Sequence, residues 1–156
     1  MHNDEIIRHF YTSFAQGDAK GMTDCYDSNI IFIDPVFGEL KSEAAFDMWR
    51  MLLKKSDGNL KILFSNIEAD NKSGVADWTA EYIFSKTGRN VLNRIHAKFE
   101  FQNGKIIRHE DHFNLWNWSK QAFGWKGLLF GWTPFMKMGI RRIARKGLEK
   151  FRNSQQ

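Results

Sequence analysis

Two aspartates stand in strand-like apolar runs. Asp34 lies in Phe32-Ile33-Asp34-Pro35-Val36-Phe37-Gly38, and Asp111 in Ile107-Arg108-His109-Glu110-Asp111-His112-Phe113. A carboxylate is costly to bury without a partner, so each must be paired, solvated or useful. Against apolar walls a carboxyl's pKa rises, which suits Asp34 as a general base. His109 and Asp111, two residues apart on one strand, form an oriented acid or base pair, and Tyr82 can donate to a developing oxyanion. An acid and a base with separated pKa values suffice for enolisation, cyclisation or dehydration. Plainer readings stand beside this. Asp34 before Pro35 can be a strand-end turn residue bonding backbone amides. Asp111 can be a buried carboxylate satisfied by His109, a neighbouring strand or water.

The elements that position these groups follow from periodicity. Ile6, Ile7, Phe10 and Phe14 share one face of a helix over residues 3–16. Gly17 stops it, and Asp18 caps a second short helix running through Cys25-Tyr26. A strand over 29–34 ends at Pro35. Ser42 opens a third helix as its N-cap, with Phe46, Trp49, Leu52 and Leu53 as its buried stripe. Four long strands follow, over 60–69, 75–86, 91–102 and 105–116, joined by Asn71-Lys72-Ser73-Gly74, Thr87-Gly88 and Asn103-Gly104. The pattern is α+β, with helices on one face of a curved antiparallel sheet.

Alternation assigns the faces. Ala76, Trp78, Ala80, Tyr82 and Phe84 point inward from one strand, and Ile95, Ala97, Phe99 and Phe101 from the next. The last hairpin has two solutions. A two-residue Asn103-Gly104 turn pairs Gln102 with Lys105. A three-residue turn with a Gly bulge pairs Phe101 with Lys105, Ala97 with His109 and Ile95 with Asp111. The second is preferred, because it sets Ile107 and Phe113 on the apolar face and turns His109 and Asp111 inward. His96 and His112 then face solvent. A facial metal triad of His109, Asp111 and His96 would need the other register, so neither a metal nor a cofactor is expected.

Composition sets bounds. A chain of 156 residues, 42% hydrophobic and 26% charged, fits one globular domain. Aromatics reach 15%, with 14 Phe and 6 Trp, enough for a Phe-rich core and for apolar pocket walls. The single Cys25 excludes an internal disulfide and fits a reducing compartment. No leader pattern or membrane-length apolar run is present, so the expected location is cytoplasmic. The net charge of +5 is uneven: residues 120–156 carry nine Lys/Arg and one acid, Glu149, or +8, leaving −3 on the rest.

Three segments carry a family resemblance: Phe14-Ala15-Gln16-Gly17-Asp18, Ile31 to Phe37 with Asp34-Pro35-Val36, and Gly104 to Phe113. In order and spacing they resemble the nuclear transport factor 2-like superfamily, specifically its SnoaL-like and ketosteroid isomerase-like members, over roughly residues 3–116. The resemblance implies a cystatin-like, cone-shaped curved sheet wrapped around N-terminal helices. It also implies one deep apolar pocket and a homodimer. Phe10, Phe14, Phe32, Trp49, Trp78, Phe99 and Phe113 are the expected lining for an apolar small-molecule ligand. Asp34 looks like the base position of ketosteroid isomerase. The tyrosine and protonated-acid positions of that oxyanion hole hold Phe10 (with Tyr11 one residue off) and Ala97, which argues against steroid isomerisation. Glu110-Asp111-His112-Phe113 is similar to the catalytic-aspartate segment of limonene epoxide hydrolase-like enzymes. Their Arg-x-Asp pair is replaced at the matching positions by Trp78, Ala80 and Tyr82. The fold hosts enzymes and non-enzymes alike.

The tail differs from the rest. Residues 1–119 read as the pocket domain and 120–156 as an extension packing on it. Residues 113–135 hold eight aromatics broken by Gly124, Gly127, Gly131 and Pro134. A basic helix over 137–151 follows, with Ile140, Ile143, Ala144, Gly147, Leu148 and Phe151 as its stripe. These groups pack across the pocket mouth or on a dimer partner. The alternative is a membrane surface bound through residues 120–153. Nucleic acid is disfavoured, since no recognition motif supports it.

Overall fold

The computed structural model describes residues 1–156. Twelve elements follow in order: α1 (Asn3–Ala15), α2 (Ala19–Thr23), β1 (Tyr26–Asp34), β2 (Gly38–Lys41), α3 (Glu43–Ser56), β3 (Lys61–Ala69), β4 (Ser73–Phe84), β5 (Arg89–Gln102), β6 (Lys105–His112), α4 (Leu115–Phe123), α5 (Trp125–Phe130) and α6 (Pro134–Ser154). The strands form one curved, unclosed sheet in the order β2-β1-β6-β5-β4-β3. All neighbours are antiparallel except β1 and β6, which run parallel. The α+β architecture read from the sequence is the one observed.

The sheet needs both of its inner covers. Ile6, Ile7, Phe10, Tyr11 and Phe14 of α1 pack with Trp49 of α3 and with inward residues of β1, β4, β5 and β6 in one buried cluster. Rings of this size remove large apolar areas from water, at about 25 cal/mol per Å². The face of α3 is rotated from the expected stripe. Ala45, Met48, Trp49 and Met51 are buried, while Phe46, Leu52 and Leu53 flank the core and are only partly covered. Ser42 occupies the N-cap of α3, but with a φ of 54° and no side-chain cap bond. Asp18 caps α2 as expected, accepting from the Gly21 amide at 2.9 Å.

The final hairpin corrects the preferred register. Asn103 (φ 52°) and Gly104 (φ 74°) make the two-residue turn, and Gln102 faces Lys105. Positive φ at both positions matches the twist of the flanking strands. The register then slips between Glu100 and Phe101, so Phe101 faces Ile106 and Glu100 faces Arg108. Ile107 is the extra residue of a β-bulge. It is Ile106, not Ile107, that is buried. One extra residue also turns His109 and Asp111 to the inner face, opposite Phe99 and Ala97. His96 pairs with His112 on the outer face, where its Nδ1 meets Asp77 Oδ1 at 2.7 Å. That register does not bring His96 to His109 and Asp111.

Several bounds also move. β1 begins at Tyr26 and β2 was not foreseen, although it closes the hairpin that holds Asp34. β6 ends at His112, and α4 replaces the expected strand end. Asn114 caps α4 by accepting from the Asn117 amide at 3.1 Å. The expected boundary at residue 119 falls inside α4. Trp118, Ala122 and Leu115 of α4, Ile140 of α6 and Val91 of β5 form a second buried cluster. Phe113 and Tyr82 touch both clusters. In α6, Ile140 and Leu148 are buried, whereas Ile143 turns outward.

Arginines fasten α6 to the turn after β1. Arg145 donates to the Phe37 and Glu39 carbonyls, each at 2.7 Å, and Arg141 to the Pro35 carbonyl at 3.3 Å. Arg152 reaches Asp47 of α3 at 3.0 Å.

Candidate functional site

A continuous hydrogen-bond chain runs through the core. The Trp49 indole N–H donates to Tyr26 Oη at 2.9 Å, and Tyr26 Oη lies 2.7 Å from His109 Nδ1. An indole nitrogen can only donate. The tyrosine oxygen is therefore an acceptor toward Trp49, which leaves its own proton available to Nδ1. A Tyr26 proton given to Nδ1 puts the ring's own N–H at Nε2, which lies 2.9 Å from Asp111 Oδ1. Trp78 donates to that same oxygen at 3.3 Å. His109 is fully buried, with Phe99 at 4.4 Å, Phe32 at 5.1 Å and Phe10 at 5.4 Å between ring centroids. Held between rings and bonded at both nitrogens, the imidazole has one orientation. Asp111 Oδ2 takes no protein hydrogen bond, so it is the free end of the chain.

Tyr26 was not singled out from the sequence. Its hydroxyl meets His109 only through the parallel pairing of β1 with β6, which joins Tyr26 to Ile106. A second unforeseen group is Tyr11. Its hydroxyl is buried without a partner, and its pKa is pushed well up, first by burial and then by the charge of Asp111. An unpartnered buried hydroxyl is uncommon in a folded protein.

Asp34 sits at the end of β1. The β1–β6 register runs through Phe32–His109 and Ile33–Glu110, so Asp34 follows Phe32 on the inner face, the face from which Asp111 also projects, close enough for the Asp111 charge to reach it. Adjacent strands lie about 4.8 Å apart. The Asp34 carboxyl keeps partial solvent contact, yet protein crowds it enough that burial pushes its pKa up to about 7. The Phe37 amide, which donates to Oδ1 at 2.6 Å, opposes the rise, and the Asp111 charge adds to it. Two nearby carboxylates cannot both ionise freely. Asp34 thus has both features weighed for it: it caps a turn, and it titrates near neutrality.

Tyr82 faces the same corner. Its oxygen accepts from the Trp118 indole at 2.7 Å, and its own proton has no protein acceptor. Burial raises its pKa; the Trp118 bond lowers it, and the Asp34 charge raises it. So Tyr82 on β4, under α4, presents a free O–H within the field of Asp34.

The seven candidate lining residues surround this chain. Phe10, Phe14, Phe32, Trp49, Trp78 and Phe99 are buried and touch one another, as in the Phe14–Trp49 and Phe32–Trp49 contacts at 5.1 and 5.2 Å. Phe113 is half-buried at the junction of the two clusters. A hollow of ≈ 590 Å³ lies elsewhere, on the outer sheet face among Val75, Lys98, Glu100, Arg108 and Glu110. Its lining is largely charged and includes the Arg108–Glu110 ion pair at 2.6 Å. The hydrogen-bond chain and the carboxylate pair, rather than that hollow, present the groups suited to chemistry.

The family model for the SnoaL-like domain matches residues 7–109. No curated protein matches the chain. Among solved structures, Bal32a from a soil-derived mobile gene cassette is similar at 24% identity and TM-score 0.68, over 77% of this chain and 95% of that one. TerC, co-crystallised with polyporic acid, is similar at 16% identity and TM-score 0.65, over 76% and 95%. A proposed polyketide cyclase from Pseudomonas putida KT2440 is similar at 20% identity and TM-score 0.63, over 78% and 98%. These likenesses concern the fold. With the family match spanning the helices and strands that build the Asp34–His109 corner, the chain belongs to the SnoaL-like domain family.

Proposed function

We propose that this protein is a small-molecule enzyme using general acid/base catalysis, of isomerase, cyclase or hydratase type, on an apolar oxygenated substrate. The observation that carries the reading is the inward carboxylate pair. Asp34 titrates near neutrality beside an Asp111 held by His109 and Trp78. A base works best when its pKa lies near the operating pH. Asp34 removes a proton from carbon next to a carbonyl, or from an attacking oxygen. Asp111 raises the basicity of Asp34 and is itself kept in place by the Tyr26–His109 chain. The free O–H of Tyr82 meets the oxygen on which charge develops, and the unpartnered Tyr11 hydroxyl is a second donor nearer Asp111. The aromatic walls exclude water from this step and receive the apolar body of the substrate. The proposed polyketide cyclase and a proposed isomerase from Bacillus subtilis among the structural relatives support this class of chemistry. A homodimer belongs to the same reading, by family resemblance.

The test begins with mass spectrometry of the purified protein, native and after organic extraction. A bound small molecule supplies the substrate class, and the native mass gives the oligomeric state. Asp34→Asn should then abolish turnover of that compound or its analogues with the fold unchanged; retained turnover would remove Asp34 from the role. A second reading, an apolar carrier without catalysis, rests on the ring-lined interior. It expects binding to survive loss of both carboxylates and to fall with Trp78→Ala or Phe99→Ala.

A further inference from the structure

The corner made by α5 and the start of α6 is not used by the chemistry above, and it exposes an unusual amount of apolar surface. Gly127 fixes how α5 sits: a Cβ there would run into the Ser119 carbonyl oxygen of α4. Trp125, Leu128 and Leu129, at i, i+3 and i+4, therefore share the opposite side of the helix. They are 65%, 50% and 54% exposed, and Trp132, Phe135 and Met138 just beyond are 60%, 88% and 63% exposed. Single exposed apolar side chains need no explanation, but a run of this density marks a contact surface. Two of the indoles already satisfy their N–H within the protein. Trp132 donates to the Leu129 carbonyl at 2.9 Å, and Trp116 to the Leu128 carbonyl at 3.1 Å. Those rings can enter an apolar medium without stranding a donor.

The charges around this corner choose the occupant. Three arginines of the segment are spent on the protein itself: Arg141 and Arg145 on backbone carbonyls and Arg152 on Asp47. Lys126, Lys137 and Arg142 make no ion pair, and no acid occurs from Lys120 until Glu149. A second copy laid on this face would set like charges against each other, which opposes pairing. We propose that the α5–α6 corner docks on bilayer surfaces carrying anionic lipid headgroups. Leu128, Leu129, Trp132 and Phe135 enter the headgroup boundary, Trp125 lies at its polar edge, and Lys126, Lys137 and Arg142 meet the lipid charge. No helix of the protein is long and apolar enough to cross a membrane, so the contact is peripheral. This inference stands independently of the acid/base reading.

The experiment is sedimentation of the full chain with vesicles of phosphatidylcholine alone and of an equimolar phosphatidylcholine–phosphatidylserine mixture, at low and high salt. Binding is expected on the mixed vesicles, weakened by salt. Lys126→Gln/Lys137→Gln/Arg142→Gln should reduce it on the order of 100-fold, at roughly fivefold per charge. Leu128→Ser/Leu129→Ser should reduce it by roughly tenfold for each leucine, with circular dichroism unchanged. Brominated lipids should quench the tryptophan fluorescence of the unaltered chain. Absence of binding to the mixed vesicles, or binding without quenching, would overturn the proposal. So would a dimer that Leu128→Ser/Leu129→Ser converts to monomer, which would assign the face to a second copy.

Discussion

Replacing Asp34 by asparagine should make the protein more stable at pH 8 while abolishing turnover. The carboxyl rises from an ordinary 3.8 to about 7 in the folded chain. A raised carboxyl pKa means that the folded state holds its proton more tightly than the unfolded chain does. Between these values the folded form is protonated and the unfolded form is not, so stability falls as pH rises, and the loss is complete above about 7. Roughly three pH units at about 1.36 kcal/mol each set a ceiling of about 4 kcal/mol. Asp34 keeps some solvent contact, and screening brings the expected figure to about 2 kcal/mol. The amide side chain of the variant would carry no charge to desolvate and would still accept the Phe37 amide, so that fraction should be recovered. Urea unfolding of both chains should show Asp34→Asn ahead by about 2 kcal/mol at pH 8, with the gap closing as pH approaches 4. A variant less stable at pH 8, or a gap that does not depend on pH, would refute the claim that burial of the ionised carboxylate is what tunes this site. Stability given up at a reacting group is a familiar trade.

Turnover itself should rise with pH through about 7, since Asp34 acts only when deprotonated; a pH–rate profile flat across neutrality would contradict this. Tyr26→Phe leaves both His109 Nδ1 and the Trp49 N–H unpaired in the core. It should cost about 2–6 kcal/mol in urea unfolding, because each stranded group costs about 1–3 kcal/mol. An unchanged midpoint would mean that the chain of bonds is not holding His109. Arg145→Ala removes two of the three arginine bonds that fasten α6 to the segment after Asp34 and leaves the one from Arg141. Hydrogen exchange at the Phe37 and Val36 amides should then quicken, while the amides of β5 should not change.

The strands from β3 to β5 were legible because alternation and turn residues agree, whereas at the β5–β6 hairpin alternation favoured one turn and the Asn103-Gly104 pair made the other. Trp78, Ala97, Phe99, His109 and Asp111 all point inward as their spacing predicts. The first two family motifs lie within the matched residues 7–109, and the third begins inside them and runs past their end at Asp111 and Phe113. The route by which His109 turns inward was not legible. It depends on a bulge at Ile107, and a bulge is set by both neighbouring strands rather than by its own segment. Tyr26 was missed for a related reason: its partner is 83 residues away, across a parallel pairing that no local pattern encodes. Residues 113–116 look like the end of a strand until Asn114 is read as an N-cap, a signal present in the sequence and outweighed there by the aromatic run. The pKa of Asp34 was foreseen in direction. Its coupling to Asp111 needed the β1–β6 register.

The most direct measurement is a carbon-13 NMR titration of the Asp34 side-chain carboxyl in the unaltered protein and in Asp111→Asn. A midpoint near 7 is expected in the first. A clearly lower midpoint is expected in the second, because loss of the neighbouring negative charge makes ionisation easier. A midpoint in the ordinary aspartate range, or one that Asp111→Asn leaves in place, would contradict a carboxylate pair poised for acid/base work.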